Sequence, residues 1–339
     1  MYRLVRSALF TLEPETAHSM ALSMAQLAYR SGVRFGGNVG SAPVSVMGLS
    51  FPNRIGLAAG FDKNGRYIDA LAALGFGFVE VGTVTPRAQA GQPLPRLFRL
   101  PKSAALINRM GFPNEGAAAV AARLAHRRFT GICGVNIGKN ATTPNERAID
   151  DYVACFRVLA PYADYVAINV SSPNTRDLRQ LQQPDQLQSI LEALLTERDA
   201  LVAVHGRPIP LLTKVAPDIP PNELLPMAHL MLRLRMDGVI ATNTTVTRPG
   251  LENGSPGMEK GSAEVGGLSG APLHSLALQT VRTLRSVFAG QVAIVGVGGI
   301  AAASDALAMM EAGADLLQIY TGMVYRGPAL ISEIRKIDG

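Results

Sequence analysis

From residue 54 to residue 322 the sequence repeats one pattern: a short apolar run that ends in polar residues, then a stretch with helical spacing. The apolar runs are RIGLAAGF, FVEVGTVT, GICGVNIG, YVAINVSS, IPLLTKVAP, GVIATNTT, VAIVGVGGI and LLQIYTG. Between several of them lie GRYIDALAALG, NEGAAAVAARLAHRR, PDQLQSILEALLTERDALV and SDALAMMEAGA, whose apolar residues recur at helical intervals. A near-continuous apolar run marks a strand buried on both faces, and alternation with helices predicts a parallel sheet. Eight such units predict a closed (β/α)8 barrel, an α/β fold of the TIM type, over an open doubly wound sheet. A chain of 339 residues, 47% of them hydrophobic, suffices for one such unit.

The polar residues at the strand ends are the second constraint. Lys63, Thr83, Asn136, Asn169, Lys214, Asn243, Thr244, Gly299 and Thr321 all fall there. In a barrel these ends open on one face, where the active site is built. One polar residue at a strand exit marks only the exit; three asparagines and two lysines on one rim point to a ligand. GVGGI (296–300) and YTG (320–322) end neighbouring strands, where backbone N–H groups of glycine turns can cradle a phosphate. Neither is a dinucleotide fingerprint or a P-loop, but together they favour a phosphorylated cofactor. A lysine in a barrel mouth needs a negative partner. It can be a Schiff-base nucleophile, a carboxylate anchor or a counter-ion for an anionic ring, or it can reach solvent. Asn108, Asn169, Asn174 and Asn243 can read the alternating C=O and N–H groups of a pyrimidine-like ring, with turn or capping duty as the alternative for each.

Other classes are disfavoured. The net charge is +6 and the pI about 9.5, yet no Lys/Arg block is interleaved with aromatics and Trp is absent. This suits an anionic small molecule or an anionic membrane surface, not nucleic acid. Cys133 and Cys155 form no CxxC pair, which suggests a reducing compartment and no structural zinc or iron–sulfur cluster. Two segments exceed ordinary loops. Residues 87–114 are expected to cover the barrel mouth. Residues 248–270 are expected to form a mobile loop in their middle and part of a binding site at their end. The first 45 or so residues lie outside the repeat. Leu4, Val5, Ala8, Leu9 and Leu12 make one apolar stripe beside Arg3 and Arg6, and Ala17, Met20, Ala21, Met24 and Leu27/Ala28 make another. Such helices either lie in a membrane interface or cap the barrel.

Nine motifs taken in order carry a resemblance: AAGFDKNG (58–65), VGTVTP (81–86), NRMGFPN (108–114), NVSSPNT (169–175), TKVAPD (213–218), TNTT (242–245), GGLSG (266–270), GVGGI and YTG. The chain resembles the dihydroorotate dehydrogenases, specifically the membrane-associated, quinone-dependent class, over nearly its whole length. The resemblance implies FMN as cofactor. Ala59, Gly60, Phe61, Asp62, Lys63 and Thr83 would line the flavin, Asn136 and Asn169 would bond to it, and Lys214 would face its pyrimidine end. Thr242 would contact it through backbone, and Gly270, Gly299, Tyr320 and Thr321 would surround its phosphate. Dihydroorotate would lie against Lys63, the stretch Asn108, Arg109, Met110, Gly111, Phe112, and Asn169, Asn174, Asn243 and Thr244. The base would be Ser172, just before Pro173; cytosolic members carry cysteine there. Thr175 or an ordered water would receive the proton, and the tail NTRDLRQL would act as a lid. His18, Arg99 and Tyr320 match positions that line a quinone tunnel.

The implied function is oxidation of (S)-dihydroorotate to orotate in pyrimidine biosynthesis, with a membrane quinone as acceptor. The implied organisation is a helical segment at 1–45 and an FMN-binding barrel at 46–339, in a monomer held peripherally at the cytoplasmic face of the cell membrane. A Schiff-base lyase using Lys214 or Lys63, and a non-catalytic membrane-surface module, are the competing classes. Fumarate or NAD as acceptor is disfavoured, because enzymes that use them usually lack the helical extension.

Overall fold

The computed structural model describes residues 2–33, 43–251 and 258–337. Eight parallel strands close into a barrel: β1 (Ile55–Leu57), β2 (Phe78–Val84), β3 (Ile132–Ile137), β4 (Tyr165–Asn169), β5 (Leu211–Val215), β6 (Gly238–Ala241), β7 (Ala293–Val297) and β8 (Leu316–Ile319). Each strand pairs with its sequence neighbour and β8 returns to β1, the (β/α)8 fold that the repeat predicts. The four helical stretches form helices at Ile68–Ala72, Ala117–Ala125, Pro184–His205 and Ala303–Glu311. The first is shorter than its sequence pattern. The Asp62 carboxylate accepts the backbone N–H groups of Asn64, Arg66 and Tyr67, so the chain coils around it before the helix begins.

Alternate strand residues face inward. The barrel floor is aromatic: Phe51 meets Phe78 edge-on at 5.2 Å, and Phe78 meets Tyr165 at 6.4 Å. A hairpin of Val44–Val46 and Leu49–Phe51 packs beneath, against these rings. Tyr165 fits because its neighbour on β3 is Gly134; a β-carbon there would lie 2.0 Å from the tyrosine ring.

The mouth is roofed by both long segments. Leu97–Leu100 and Ala105–Asn108, from the 87–114 stretch, form an antiparallel hairpin, and Gly267–Gly270 from the 248–270 stretch adds its third strand. The middle of the second stretch, 252–257, where a mobile loop is expected from the sequence, lies outside the described residues. At the N-terminus, α1 (Tyr2–Leu9) and α2 (Pro14–Arg30) precede the barrel. Tyr2 donates its hydroxyl to the Val324 carbonyl (2.6 Å) and Arg6 donates to the Tyr325 carbonyl (2.9 Å), so α1 docks on the helix Thr321–Arg326. Arg96 pairs with Glu15 at 2.8 Å, tying α2 to the roof. The buried side of α2 carries Ala17 and Leu22, whereas Met20, Met24 and Leu27 stay exposed. Among the described residues no helix is long and apolar enough to cross a membrane.

The contact between Gly134 and Tyr165 yields a stability prediction. Gly134→Ala should lower the urea midpoint by the equivalent of about 1–3 kcal/mol, the usual cost of overpacking a filled core. An unchanged midpoint would show that the Tyr165 ring can swing aside.

Candidate active site

The cleft between the barrel mouth and the roof encloses about 1110 Å3, counting its open mouth. Its walls come from the strand ends, the roof hairpin and the loops after β4 and β6. Just below it sits Glu80 on β2, 1% exposed. The Glu80 carboxylate accepts from Asn136 Nδ2 (2.9 Å), Tyr165 Oη (2.8 Å) and Gln318 Nε2 (2.6 Å).

Above this carboxylate the polar residues connect in sequence. Asn136 Oδ1 accepts from Thr83 Oγ1 (2.6 Å) and Asn169 Nδ2 (3.1 Å). Asn169 Oδ1 accepts from Ser171 Oγ (3.2 Å) and Asn243 Nδ2 (3.3 Å). The two serines after β4 therefore differ. Ser171 is fully buried in this network, while Ser172 lines the cleft with its Oγ accepting the Asn174 N–H at 3.2 Å. That N–H stabilises an oxygen that has given up its proton. Thr175 Oγ1, also buried, has no hydrogen-bond partner among the described residues.

Arg179 holds this loop in place. Its guanidinium donates to the Ser171 carbonyl (3.0 Å), the Thr244 carbonyl (2.8 Å) and the Asp218 carboxylate (2.7 Å), joining the loops after β4, β5 and β6. Asp218 also accepts from Thr245 Oγ1. On the roof side, Asn174 Nδ2 donates to Asn108 Oδ1 (2.9 Å), and Asn108 donates to the Gly267 carbonyl (3.3 Å). Phe112 reaches the cleft from the left-handed region (φ 57°), an uncommon backbone state for a bulky residue. Gln89 Nε2 holds that turn by donating to the Gly111 and Phe112 carbonyls.

Two lysines face the cleft, Lys214 buried and Lys63 half-buried. Lys63 Nζ donates to the Gly60 carbonyl (2.8 Å); burial brings its pKa down to about 8, against the nearby Glu15 charge that raises it. Lys214, on β5 beside Asn169, is also lowered by burial and held up by Glu80. Lys214 donates to no protein group among the described residues, and Gln318 Oε1 at the cleft floor is likewise unpartnered. These open valences, together with the glycine turns at Gly298–Gly299 and Gly270, suit an anionic, ring-bearing cofactor. Ser269 and Thr321 hydroxyls meet at 2.8 Å at the same end.

Most sequence-singled residues converge here. Ala59, Gly60, Thr83, Met110, Gly111, Thr242, Asn243, Thr244, Gly270, Gly299, Tyr320 and Thr321 line the cleft with the residues above. Others stand apart. Arg109 pairs with Glu264 at 2.7 Å and stacks on Phe98, Asp62 caps its loop, and Asn136 lies below the cleft wall. Phe61 packs edge-on between His18 (5.0 Å) and Tyr320 (5.3 Å). His18 Nε2 donates to the Phe61 carbonyl (2.8 Å), and burial lowers its pKa to about 4, so the ring is neutral. Arg99 donates to the Phe10 and Leu12 carbonyls, fastening the α1–α2 turn. Sequence reading overlooked Glu80, Gln318 and Arg179. A charge in the middle of the apolar run FVEVGTVT was the available signal for the first.

Comparison with known proteins agrees with this architecture. The family model described as dihydroorotate dehydrogenase matches residues 41–337. A protein of Methylococcus capsulatus called dihydroorotate dehydrogenase (quinone) is 51% identical, covering 98% of this chain and 97% of its own. One of the same description from Stenotrophomonas maltophilia is 49% identical over 98% and 94% of the two chains. The crystal structure of an Eimeria tenella dihydroorotate dehydrogenase in complex with ferulenol superposes with a TM-score of 0.87 at 38% identity, covering 95% of this chain and 90% of that one. The chain belongs to the quinone-dependent dihydroorotate dehydrogenases, a family of oxidoreductases.

Proposed function

We propose that the cleft binds FMN and (S)-dihydroorotate together, and that Ser172 removes a proton from C5 of the substrate as orotate forms. The observation that carries this reading is the shared cleft: two ammonium groups, a rim of amides and a cleft-facing serine. FMN bound there would supply the acceptor for the C6 hydride and the carrier of electrons toward a quinone. Lys214 and the glycine turns would hold its ring and phosphate. Lys63 anchors the substrate carboxylate, and Asn108, Asn169, Asn174 and Asn243 orient its ring. Ser172 Oγ, which accepts the Asn174 N–H, hands its own proton to Thr175 or an ordered water as it takes the C5 proton. The roof, joined to the loops that Arg179 clamps through the Asn108–Asn174 hydrogen bond, excludes bulk water from this transfer.

The helical segment is the proposed membrane contact. Leu4 is 78% exposed and Leu27 69%, and Met20 and Met24 of the α2 stripe are exposed beside it. An apolar helix face flanked by Arg3 and Arg30 suits the interface of an anionic membrane. This supports a peripheral protein that takes quinone from the bilayer, and its role in pyrimidine synthesis follows from the substrate.

Purified protein should be yellow, bleach with anaerobic dihydroorotate and recolour with a soluble quinone; a colourless protein that ignores added FMN would sink the reading. Ser172→Ala should keep its flavin while flavin reduction slows by about 10²–10⁴-fold, the usual loss for a general base. Reduction at the wild-type rate would remove Ser172 from the chemistry. Since only the ammonium form of Lys63 attracts a carboxylate, KM for dihydroorotate should be flat below pH 8 and climb above it. Lys63→Met should abolish that rise.

A further inference from the structure

The side-chain hydrogen bonds beneath the cleft form one chain of amides whose lower end is Glu80. A carboxylate accepts and does not donate, whereas an amide has one donor end and one acceptor end. Glu80 Oε1 draws down the Nδ2 of Asn136 (2.9 Å), which turns Asn136 Oδ1 up toward Thr83 and Asn169. Asn169 must then present its Nδ2 to Asn136 and to Thr83 Oγ1 (2.9 Å), leaving Oδ1 for the far side. There it accepts from Ser171 and from Asn243 Nδ2, which also donates to Ser171 Oγ (3.0 Å). Asn243 is left with Oδ1 directed at the Thr244 N–H (2.8 Å). The sense of the chain is thus held from both ends: by Glu80 at Asn136, and by the backbone N–H groups of Ser171 (3.3 Å) and Thr244, which Asn169 Oδ1 and Asn243 Oδ1 accept.

We propose that Glu80 is a positioning residue for the reaction: without touching the ligand, it holds Asn136 with Oδ1 toward the cleft and so supports from below the orientation of Asn169 and Asn243 that the Ser171 and Thr244 N–H groups hold from above. The assignment rests on the reading that the dihydroorotate ring lies against Asn169 and Asn243. The other two donors to Glu80 explain its immobility. Tyr165 and Gln318 both hold Oε2, which keeps Oε1 for Asn136 alone. A glutamine at this position would offer Asn136 either a donor or an acceptor, and the chain of amides would lose its lower fixed end.

The test uses the FMN-loaded enzyme, titrated with orotate and read by flavin absorbance. Glu80→Gln should weaken orotate by about tenfold, the cost of one mispaired buried amide. Tyr165→Phe removes a donor from the same carboxylate but leaves the Asn136 link, so it should lower the unfolding midpoint and leave orotate affinity near wild type. The double variant Glu80→Gln/Asn136→Asp exchanges amide and carboxylate. The carboxylate that it places on β3 again presents an acceptor to Thr83 and Asn169, and most of the lost affinity should return. Orotate binding unaltered in folded Glu80→Gln, or a double variant no better than the single one, would overturn the proposal. Selective 15N-asparagine spectra give a readout independent of any ligand. The side-chain amides of Asn169 and Asn243, which do not touch Glu80, should move in Glu80→Gln, and a shift confined to Asn136 would count against the relay. Movement of Asn169 and Asn243 in a protein that ignores orotate would instead fault the assigned substrate and leave the relay standing.

Discussion

A carboxylate inside a closed barrel survives only if several strands supply donors to it at once. Glu80 is met from β3, β4 and β8, by Asn136, Tyr165 and Gln318. Removing one neutral donor from such a buried carboxylate costs about 1.5–3 kcal/mol, the usual worth of a hydrogen bond to a charged group. The interior is therefore divided into two tiers. Below Glu80 lie Phe51, Phe78 and the body of Tyr165, a dry aromatic floor. Above it the inward residues turn polar or small, and the cleft begins. Even the glycine at 134 belongs to this division, since it leaves the space in which the Tyr165 ring lies as its hydroxyl reaches the carboxylate.

The upper tier would be only a ring of loops without a second device, the Arg179 fork. Lysine places a single ammonium at the end of a flexible stem, whereas a planar guanidinium can address three acceptors in fixed directions. Here those acceptors belong to three successive βα loops, and one of them is the carbonyl beside Ser172. The roof is joined to the same ring through Asn108 and Asn174. Roof, catalytic loop and strand ends thus form one hydrogen-bonded body, although they are separated by more than 150 residues along the chain in the case of Asn108 and Gly267.

The barrel was legible because strands buried on both faces leave an apolar signature that needs no partner to be read. So was the convergence of polar strand ends, which follows from parallel closure. The roof was legible only as excess length: the pairing of Ala105–Asn108 with Gly267–Gly270 depends on two segments far apart in sequence, neither of which alternates strongly. Arg109 looked like part of the site because it stands inside NRMGFPN, yet its neighbour Glu264 and the Phe98 ring turn it away, and only tertiary contact reveals that. Glu80 was hidden differently. Its charge interrupts an apolar strand in plain view, but the three side chains that make the charge tolerable come from other strands.

The cleft has two sides of unlike electrostatics, and one pair of bases accounts for the difference. Lys63 and His18 lie close enough for the lysine charge to oppose protonation of the imidazole, in the same direction as burial. Lysine is the stronger base by several units in its ordinary state and remains so here, at about 8 against about 4. The single positive charge therefore settles on Lys63, where a carboxylate substrate would be drawn, and His18 stays neutral with its N–H committed to the Phe61 carbonyl. His18, Phe61 and Tyr320, packed edge-on in a row, are then all neutral, and the charge that would hold a carboxylate stands beside this row on Lys63.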